Sequence, residues 1–227
     1  MSGTLDVNGS NIRQHVTLVN MPKPTPKNRR TYHHGHLREA LVEAALALVN
    51  EEQSWNFTLR DLARRAGVSH TAPYRHFADK AEILNEIARI GFETLAARLR
   101  EAVARAARLP LRARLEAVAV AYVRFALRHA AHYRVMFGPV GAANHQEPAI
   151  APAADAAFTV VEDLLAQLVP KMSAKDVERV AEHFWALVHG YTMLALDGHL
   201  ECAEAGAIER ETRAMVKTLL DGLLSRR

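Results

Sequence analysis

Apolar residues recur at helical spacing along most of the chain after residue 36. Leu37, Leu41, Ala44 and Leu48 predict an amphipathic first helix of about four turns, which the polar stretch 51–56 interrupts. No alternation of the kind that marks β-strands extends over a useful length. The pattern predicts an all-α chain of about nine helices.

The next segment predicts two short helices joined by a tight turn. The second helix begins at Thr58, whose hydroxyl can accept a backbone N–H while Asp61 reaches back to complete a capping box. Gly67 ends this helix, and Ser69 caps a third helix that reaches about Phe77. This arrangement is that of a helix-turn-helix.

Later boundaries follow from caps, glycines and prolines. A fourth helix begins at Asp79 and continues to about Ala107. The stretch 110–137 contains no internal cap or glycine, so it can form one helix or two. The remaining helices are predicted over about 152–169, 173–197 and 204–224.

Charge is distributed unevenly. The chain of 227 residues has 29 Lys+Arg, 25 Asp+Glu and a net charge of +4. The first 80 residues contain 11 basic and 7 acidic side chains, so the whole excess lies there. A basic first third on a neutral remainder is typical of a polyanion-binding module joined to a second module with another task. Residues 1–31, with three prolines and a basic end, are expected to form a disordered basic arm.

Composition excludes several classes of protein. The 49% hydrophobic and 24% charged content is that of a globular chain. The single cysteine, Cys202, cannot form an intrachain disulfide. No apolar run approaches the roughly 18–20 residues of a membrane helix, and the first 30 residues lack a signal-peptide core, so we expect a cytoplasmic protein without membrane contact. Catalytic motifs such as G-x-S-x-G and H-E-x-x-H are absent, and we expect no enzyme.

The predicted third helix is too polar for a core position. Its exposed-type side chains suit the major groove of DNA, where the first turn can contact base edges. A small helical hairpin with a glycine turn can also be purely structural, but the basic surroundings favour DNA binding. The helix offers Ser69, His70, Thr71, Tyr74, Arg75 and His76.

The runs YHHGHLREALVEAA and TLRDLARRAGVSHTAPYRHFADKAEIL closely resemble the amino-terminal domain of TetR-family transcriptional regulators. The resemblance implies a homodimer with a three-helix DNA-binding head (residues 32–94) and a ligand-binding and dimerisation body (residues 95–227). It also implies that Arg60, Tyr74 and Lys80 contact phosphates. The full DNA-contacting set is then Arg60, Ser69, His70, Thr71, Ala72, Tyr74, Arg75, His76 and Lys80.

Two residues depart from the family pattern. His36 stands where an acidic residue is common, and Pro73 stands where an aliphatic residue usually precedes the tyrosine. Pro73 lies about four residues into its helix, past the positions where a missing N–H is harmless. We therefore expect it to shift the first turn of the third helix.

The body resembles a subgroup of the same family that carries Trp, His and Gly on one late helix, here Trp185, His189 and Gly190. These residues can form a packed core or dimer helix, or they can meet a ligand. Large apolar groups on neighbouring helices predict a pocket for a small hydrophobic or aromatic ligand, although such residues can equally be core. The candidates are Tyr122, Phe125, Met136, Phe137, Phe158, Phe184, Trp185 and Met193, with His183 and His189 as polar groups.

Two clusters leave alternatives open. Residues 89–134 contain ten Arg and three Glu, which can form a second nucleic-acid surface, solvated helix faces, or ion pairs with the acidic later helices. His33, His34 and His36 are close in sequence, as are His129 and His132. No cysteine or carboxylate completes a ligand spacing around them, so we expect neither a metal nor a cofactor.

Together these features predict a ligand-responsive transcriptional regulator. The favoured form is a repressor that a small molecule releases from a palindromic, double-stranded DNA operator. An activator with the same head is the first alternative, and a small-molecule enzyme is the second.

Overall fold

Eight α-helices account for most of the chain that the computed structural model describes, which is residues 36–52, 54–138, 147–200 and 206–225. No strand occurs among these residues, and the all-α prediction is confirmed. The predicted arm over 1–31 lies outside them. The helices are α1 (Leu37–Glu52), α2 (Leu59–Ala66), α3 (Lys80–Arg105), α4 (Leu111–Arg128), α5 (Ala130–Phe137), α6 (Ala151–Leu168), α7 (Ala174–Leu196) and α8 (Ala207–Ser225).

The start of the helix-turn-helix follows its sequence signals. The Thr58 hydroxyl accepts from the Asp61 N–H at 3.2 Å, and the Asp61 carboxylate accepts from the Thr58 N–H at 3.0 Å. Gly67 ends α2 with φ of 70°, a left-handed conformation that favours glycine. The capping box and the glycine stop predicted for this helix are therefore confirmed.

The predicted third α-helix is the main difference from expectation. The segment 69–77 forms turns around a single 3-10 helix, Pro73–Arg75, instead of an α-helix capped by Ser69. Pro73 has no N–H to donate to the Ser69 carbonyl four residues earlier, and that carbonyl accepts from the Ala72 N–H at 3.0 Å. Pro73 was expected to shift only the first turn of the third helix, but the whole segment 69–77 departs from α-helical structure.

The segment 110–137 forms two helices that meet at His129. The His129 N–H donates to the Phe125 carbonyl, and the His129 carbonyl accepts from the Tyr133 N–H, so backbone hydrogen bonding continues across the break. His129 itself has a non-helical backbone, with φ of −123° and ψ of 45°. The break lets α4 pack along α8 while α5 packs against α1 and α3.

Helix α3 joins the two ends of the core. It contacts α1 near its start and α4, α5 and α6 along its length, and the buried side chains on it run from Ile83 to Leu99. The predicted boundary between head and body, at residue 94, falls within this helix and stays a prediction.

Candidate nucleic-acid interface and ligand cavity

The helix-turn-helix presents most of its predicted DNA-contacting side chains to solvent. Tyr74 is 54% exposed although it is a large aromatic residue. Ala72, His76 and Lys80 are half-buried. The remaining predicted contacts, all exposed, are Arg60, Ser69, His70, Thr71 and Arg75.

Two buried side chains hold this surface on the head. Pro73 and Phe77 lie inside, and the Arg38 guanidinium covers the Phe77 ring at 4.8 Å from its centroid. Arg38 is itself paired with Glu86 on α3. Pro73 and Phe77 thus anchor the two ends of this segment in the core, and the exposed residues between them, Tyr74 and Arg75, have a defined position.

Ion pairing separates the basic residues of the head into two groups. Arg64 pairs with Asp61 at 3.0 Å, and Arg65 pairs with Glu51, whose pKa the hydrogen bond from Arg65 lowers. Neither Arg60 nor Arg75 forms an ion pair with a carboxylate in the described part of the chain. These two guanidinium groups are therefore available to an external anion.

Lys80 is oriented by the α1–α2 connection. Its Nζ donates to the Trp55 carbonyl at 3.2 Å and lies 5.8 Å from the centroid of the Phe57 ring. Gly138, at the end of α5, lies against the Trp55 indole so closely that a Cβ there would overlap the ring. Trp55 thus links the position of Lys80 to the end of α5.

The body contains a cavity of about 250 Å³ between α3, α4, α6 and α7. Five of the predicted pocket residues line it, namely Tyr122, Phe137, Phe158, Phe184 and Trp185. Phe92, Leu95 and Leu99 of α3 also line it and were missed by the sequence analysis. Their spacing of three and four residues marks one face of α3, which was the available signal.

Other candidate pocket residues lie elsewhere. Phe125, one turn beyond Tyr122 on α4, packs on His129 with ring centroids 5.1 Å apart. His183 faces a groove between α7 and α8, because it lies on a different side of α7 from Phe184. Met136 fills the space beside Gly91, and Met193 is half-buried without reaching the cavity wall.

His189 lies behind the cavity wall in a buried polar cluster. Its Nδ1 is 2.7 Å from the Tyr133 hydroxyl and 3.1 Å from the Tyr122 hydroxyl, and the two hydroxyls are 3.0 Å apart. Burial raises the pKa of both tyrosines above the ordinary value, so both hydroxyls remain protonated hydrogen-bond donors. The cluster joins α4, α5 and α7, and one of its members, Tyr122, also lines the cavity.

Phe137 connects this cluster to the cavity and to α3. Its ring centroid lies 4.6 Å from that of His189, 5.4 Å from that of Phe92 and 6.2 Å from that of Trp185. Phe137 is also the residue before Gly138. A ligand that displaced this ring would therefore act next to the Trp55 contact.

Gly190 lies on an open side of α7. A Cβ added there would meet nothing within 4 Å in the described chain. Leu194, one turn later on α7, is 47% exposed. This side of α7 is therefore open to solvent in the single chain.

The arginines of residues 89–134 are mostly paired with carboxylates. Arg112 pairs with Asp221, and Arg124 pairs with Glu209, both on α8. Arg89, Arg98, Arg105 and Arg134 also have carboxylate partners. The pairs of Arg112, Arg124 and Arg134 match the predicted ion pairs with later acidic segments. The other three arginines pair with glutamates of α3 itself, as on a solvated helix face.

No group of three or more histidine, cysteine or carboxylate side chains that could hold a metal occurs among the described residues. The rings of His129 and His132 meet edge to face with centroids 6.0 Å apart, and His36 Nδ1 lies 2.8 Å from the Glu39 carboxylate. His33, His34 and Cys202 lie outside the described residues. Within the described part of the chain, no helix is both long and apolar enough to span a membrane.

Two protein-family models match the sequence. Residues 41–87 match the family described as bacterial regulatory proteins, tetR family, and residues 115–221 match the tetracyclin repressor-like C-terminal domain. Together they match more than half of the chain. The Trp-His-Gly feature of the predicted subgroup is not part of either description.

Curated relatives match over the helix-turn-helix region. An uncharacterised HTH-type transcriptional regulator of Haemophilus influenzae is 47% identical over 47 residues, which are 20% of this chain and 23% of the relative. The HTH-type transcriptional regulator BetI of Agrobacterium fabrum is 42% identical over 52 residues, 23% of this chain and 25% of the relative. The chain thus matches about a quarter of the length of each relative.

Solved structures match over nearly their full length. A protein of unknown function from Rhodococcus sp. RHA1 has a TM-score of 0.69 and 34% identity, with 85% of this chain and 98% of the other covered. The TetR-family regulator PfmR of Thermus thermophilus has a TM-score of 0.62 and 21% identity, with coverage of 81% and 98%. At the identity of PfmR, the likeness shows a shared fold alone.

Proposed function

The chain belongs to the TetR family of transcriptional regulators, which bind DNA and are not enzymes, and from that premise we propose that it is a homodimeric repressor released from its operator by a small molecule. The observation that carries the DNA-binding part is the exposed surface that extends from Arg60 on α2 to Arg75 in the 3-10 turn. The guanidinium groups of these two arginines have no ion pair with a described carboxylate. We place its action in the cytoplasm, together with the DNA.

At the DNA, Arg60, Tyr74 and Lys80 are proposed to contact phosphates, and the exposed residues 69–71 are proposed to face the bases. Phosphate contacts supply affinity and register, and base contacts supply sequence preference. The 3-10 turn at Pro73 supports this division, because it presents Tyr74 at the surface while the proline ring itself is buried. Ala72, Arg75 and His76 complete the proposed interface.

The open side of α7 supports the dimer. His183, Leu187, Gly190 and Leu194 follow one another at helical spacing, and Gly190 leaves room for a neighbouring helix. The adjoining groove is completed by α8 residues that include Leu219 and Leu223. Two chains joined through α7 and α8 would direct two heads at half-sites about one helical turn, ~34–36 Å, apart.

Release by a ligand is supported by the path from the cavity to the head. Phe137 lines the cavity, the adjacent Gly138 presses on Trp55, and the Trp55 carbonyl holds Lys80. A ligand that shifts the end of α5 would move Lys80 relative to the phosphates. The ligand changes DNA affinity only to the extent that it binds the shifted and the unshifted arrangement of α5 with different affinity.

Selection of bound sequences from a random double-stranded DNA library tests this function. We expect the purified chain to enrich a near-palindromic site with two half-sites. Leu194→Arg should lose the paired half-sites, because it places a charge in the proposed dimer face. Leu109→Arg is the matched control, since Leu109 is 49% exposed at the α3–α4 corner, and it should enrich the same site as the unmodified chain. Lack of enrichment would refute DNA recognition, and a single half-site would refute the dimer.

A further inference from the structure

The cavity in the body is apolar inside and acidic where it meets solvent. Asp155 of α6 and Glu182 of α7 are its two ionisable carboxylate lining residues, and both side chains are exposed. Six aromatic rings form much of the remaining wall. Because both carboxylates line the cavity and also contact solvent, they lie at its rim.

The rim carboxylates lack a counter-charge among the described residues. No ion pair or hydrogen bond joins the side chain of Asp155 or Glu182 to a described group. Helix α6 carries Asp155, Glu162 and Asp163 but no lysine or arginine. Burial raises the pKa of the Glu162 carboxyl, with further increases from Glu178, Asp163 and Asp155, which agrees with an excess of negative charge on this side.

The walls suit the hydrocarbon part of an organic cation. Phe92, Phe137 and Trp185 lie along one side of the cavity, with the Phe137 ring centroid 5.4 Å from that of Phe92 and 6.2 Å from that of Trp185. Aromatic faces attract organic cations through the ring quadrupole, most strongly for tryptophan. The volume of about 250 Å³ lies below the usual range for ligand pockets, about 300–1,000 Å³, and favours a compact molecule.

We propose that the cavity binds a small organic cation, with its positive group at the Asp155–Glu182 rim and its hydrocarbon or aromatic part among the aromatic walls. This proposal rests on the proposed function, because it specifies the chemical class of the ligand in that cavity. Two uncompensated carboxylates repel an anion of the same shape. They attract a cation without requiring any movement of the walls.

Calorimetric titration of the full chain at low ionic strength with two probes of matched shape tests the charge preference. The probes are benzyltrimethylammonium and neopentylbenzene, in which a carbon replaces the charged nitrogen. We expect the cation to bind at least about tenfold more tightly than the hydrocarbon. Low ionic strength is needed because salt screens exposed charges.

The Asp155→Asn/Glu182→Gln double variant should reduce cation affinity about tenfold and leave the affinity for neopentylbenzene unchanged. Both positions are exposed, so folding should be preserved. Glu43→Gln/Glu211→Gln is the matched control, because it removes the same charge from two exposed positions outside the cavity. This control should bind both probes as the unmodified chain does.

Three results would overturn the proposal. If the two probes bind equally, the cavity has no preference for a cation. If cation affinity is unchanged in the Asp155→Asn/Glu182→Gln variant, the rim carboxylates do not bind the positive group. In both cases the cavity can still be a ligand site. Binding of neither probe removes ligand binding at this cavity as well. The DNA-binding part of the proposed function is decided separately by the sequence selection.

Discussion

His132 is the residue at which the folded chain most clearly opposes protonation. It lies on α5 facing His129, and burial lowers its pKa to about 4, with a further contribution from His129. In the unfolded chain a histidine titrates near ~6.5, so the unfolded state takes up the proton first. The contribution of neutral His132 to the free energy of unfolding is therefore fully present above pH ~6.5 and is lost progressively as the pH falls towards 4.

We expect the free energy of unfolding to fall by about 2 kcal/mol more in the unmodified chain than in His132→Gln between pH 7 and pH 5. Urea denaturation at the two pH values measures this difference. His70→Gln is the matched control, because it removes a histidine from an exposed position in the helix-turn-helix. An equal loss in His132→Gln and the unmodified chain would contradict the assignment.

Individual residues were predictable from sequence where their partners are close along the chain. The Thr58–Asp61 box and the Gly67 stop depend on neighbours within a few residues, and both were predicted. The His189 contacts with Tyr122 and Tyr133 join residues 67 and 56 positions apart. No local pattern encodes such a pairing, so the sequence could mark His189 as notable without identifying what it touches.

At the scale of elements, α5 carries the proposed signal between cavity and head. Gly138→Ala would drive a Cβ into the Trp55 ring and against the Arg134 backbone carbonyl at the end of α5, and it should displace the Trp55 carbonyl that holds Lys80. We expect operator affinity to fall about tenfold, or ~1.4 kcal/mol, as measured by fluorescence anisotropy on samples with equal folded fraction.

Gly91→Ala is the control for this prediction. Its Cβ would also crowd α5, but it meets the flexible Met136 side chain at 2.5 Å and does not touch Trp55. We expect operator affinity to change by less than about twofold, because Met136 can change its rotamer. Wild-type affinity in Gly138→Ala, or an equal loss in both variants, would refute the Trp55 connection.

The elements that the sequence left open or misjudged are those shaped by tertiary packing or by a single backbone constraint. The break at His129 has no local stop signal, since it arises where α4 follows α8 and α5 turns towards α1. The 3-10 turn did have a signal, Pro73, whose missing N–H was recognised. Its effect reached further than one turn because the segment 69–77 is short and has few other backbone bonds to hold an α-helix.

At the scale of the whole molecule, the placement of charge supports the proposed DNA interface on the head. The body is rich in arginine, but most of these side chains pair with carboxylates of the same unit. In the head, Arg60 and Arg75 remain available. Residues 36–80 contain six basic and six acidic side chains, so the excess of positive charge in the first third lies in residues 1–35, outside the described residues. Arg60 and Arg75 are therefore available because of their placement and not because of an excess of charge around them.

The salt dependence of operator binding in Arg60→Ala and Arg100→Ala tests this account most directly. Both arginines are exposed and lack an ion pair with a described carboxylate, but Arg100 lies twenty residues along α3 from Lys80, about 30 Å away. We predict that Arg60→Ala weakens binding to every DNA sequence and reduces the slope of log affinity against log salt by about 1, whereas Arg100→Ala changes neither. An unchanged slope in Arg60→Ala, or an equal reduction in Arg100→Ala, would contradict the placement of the DNA interface on the head.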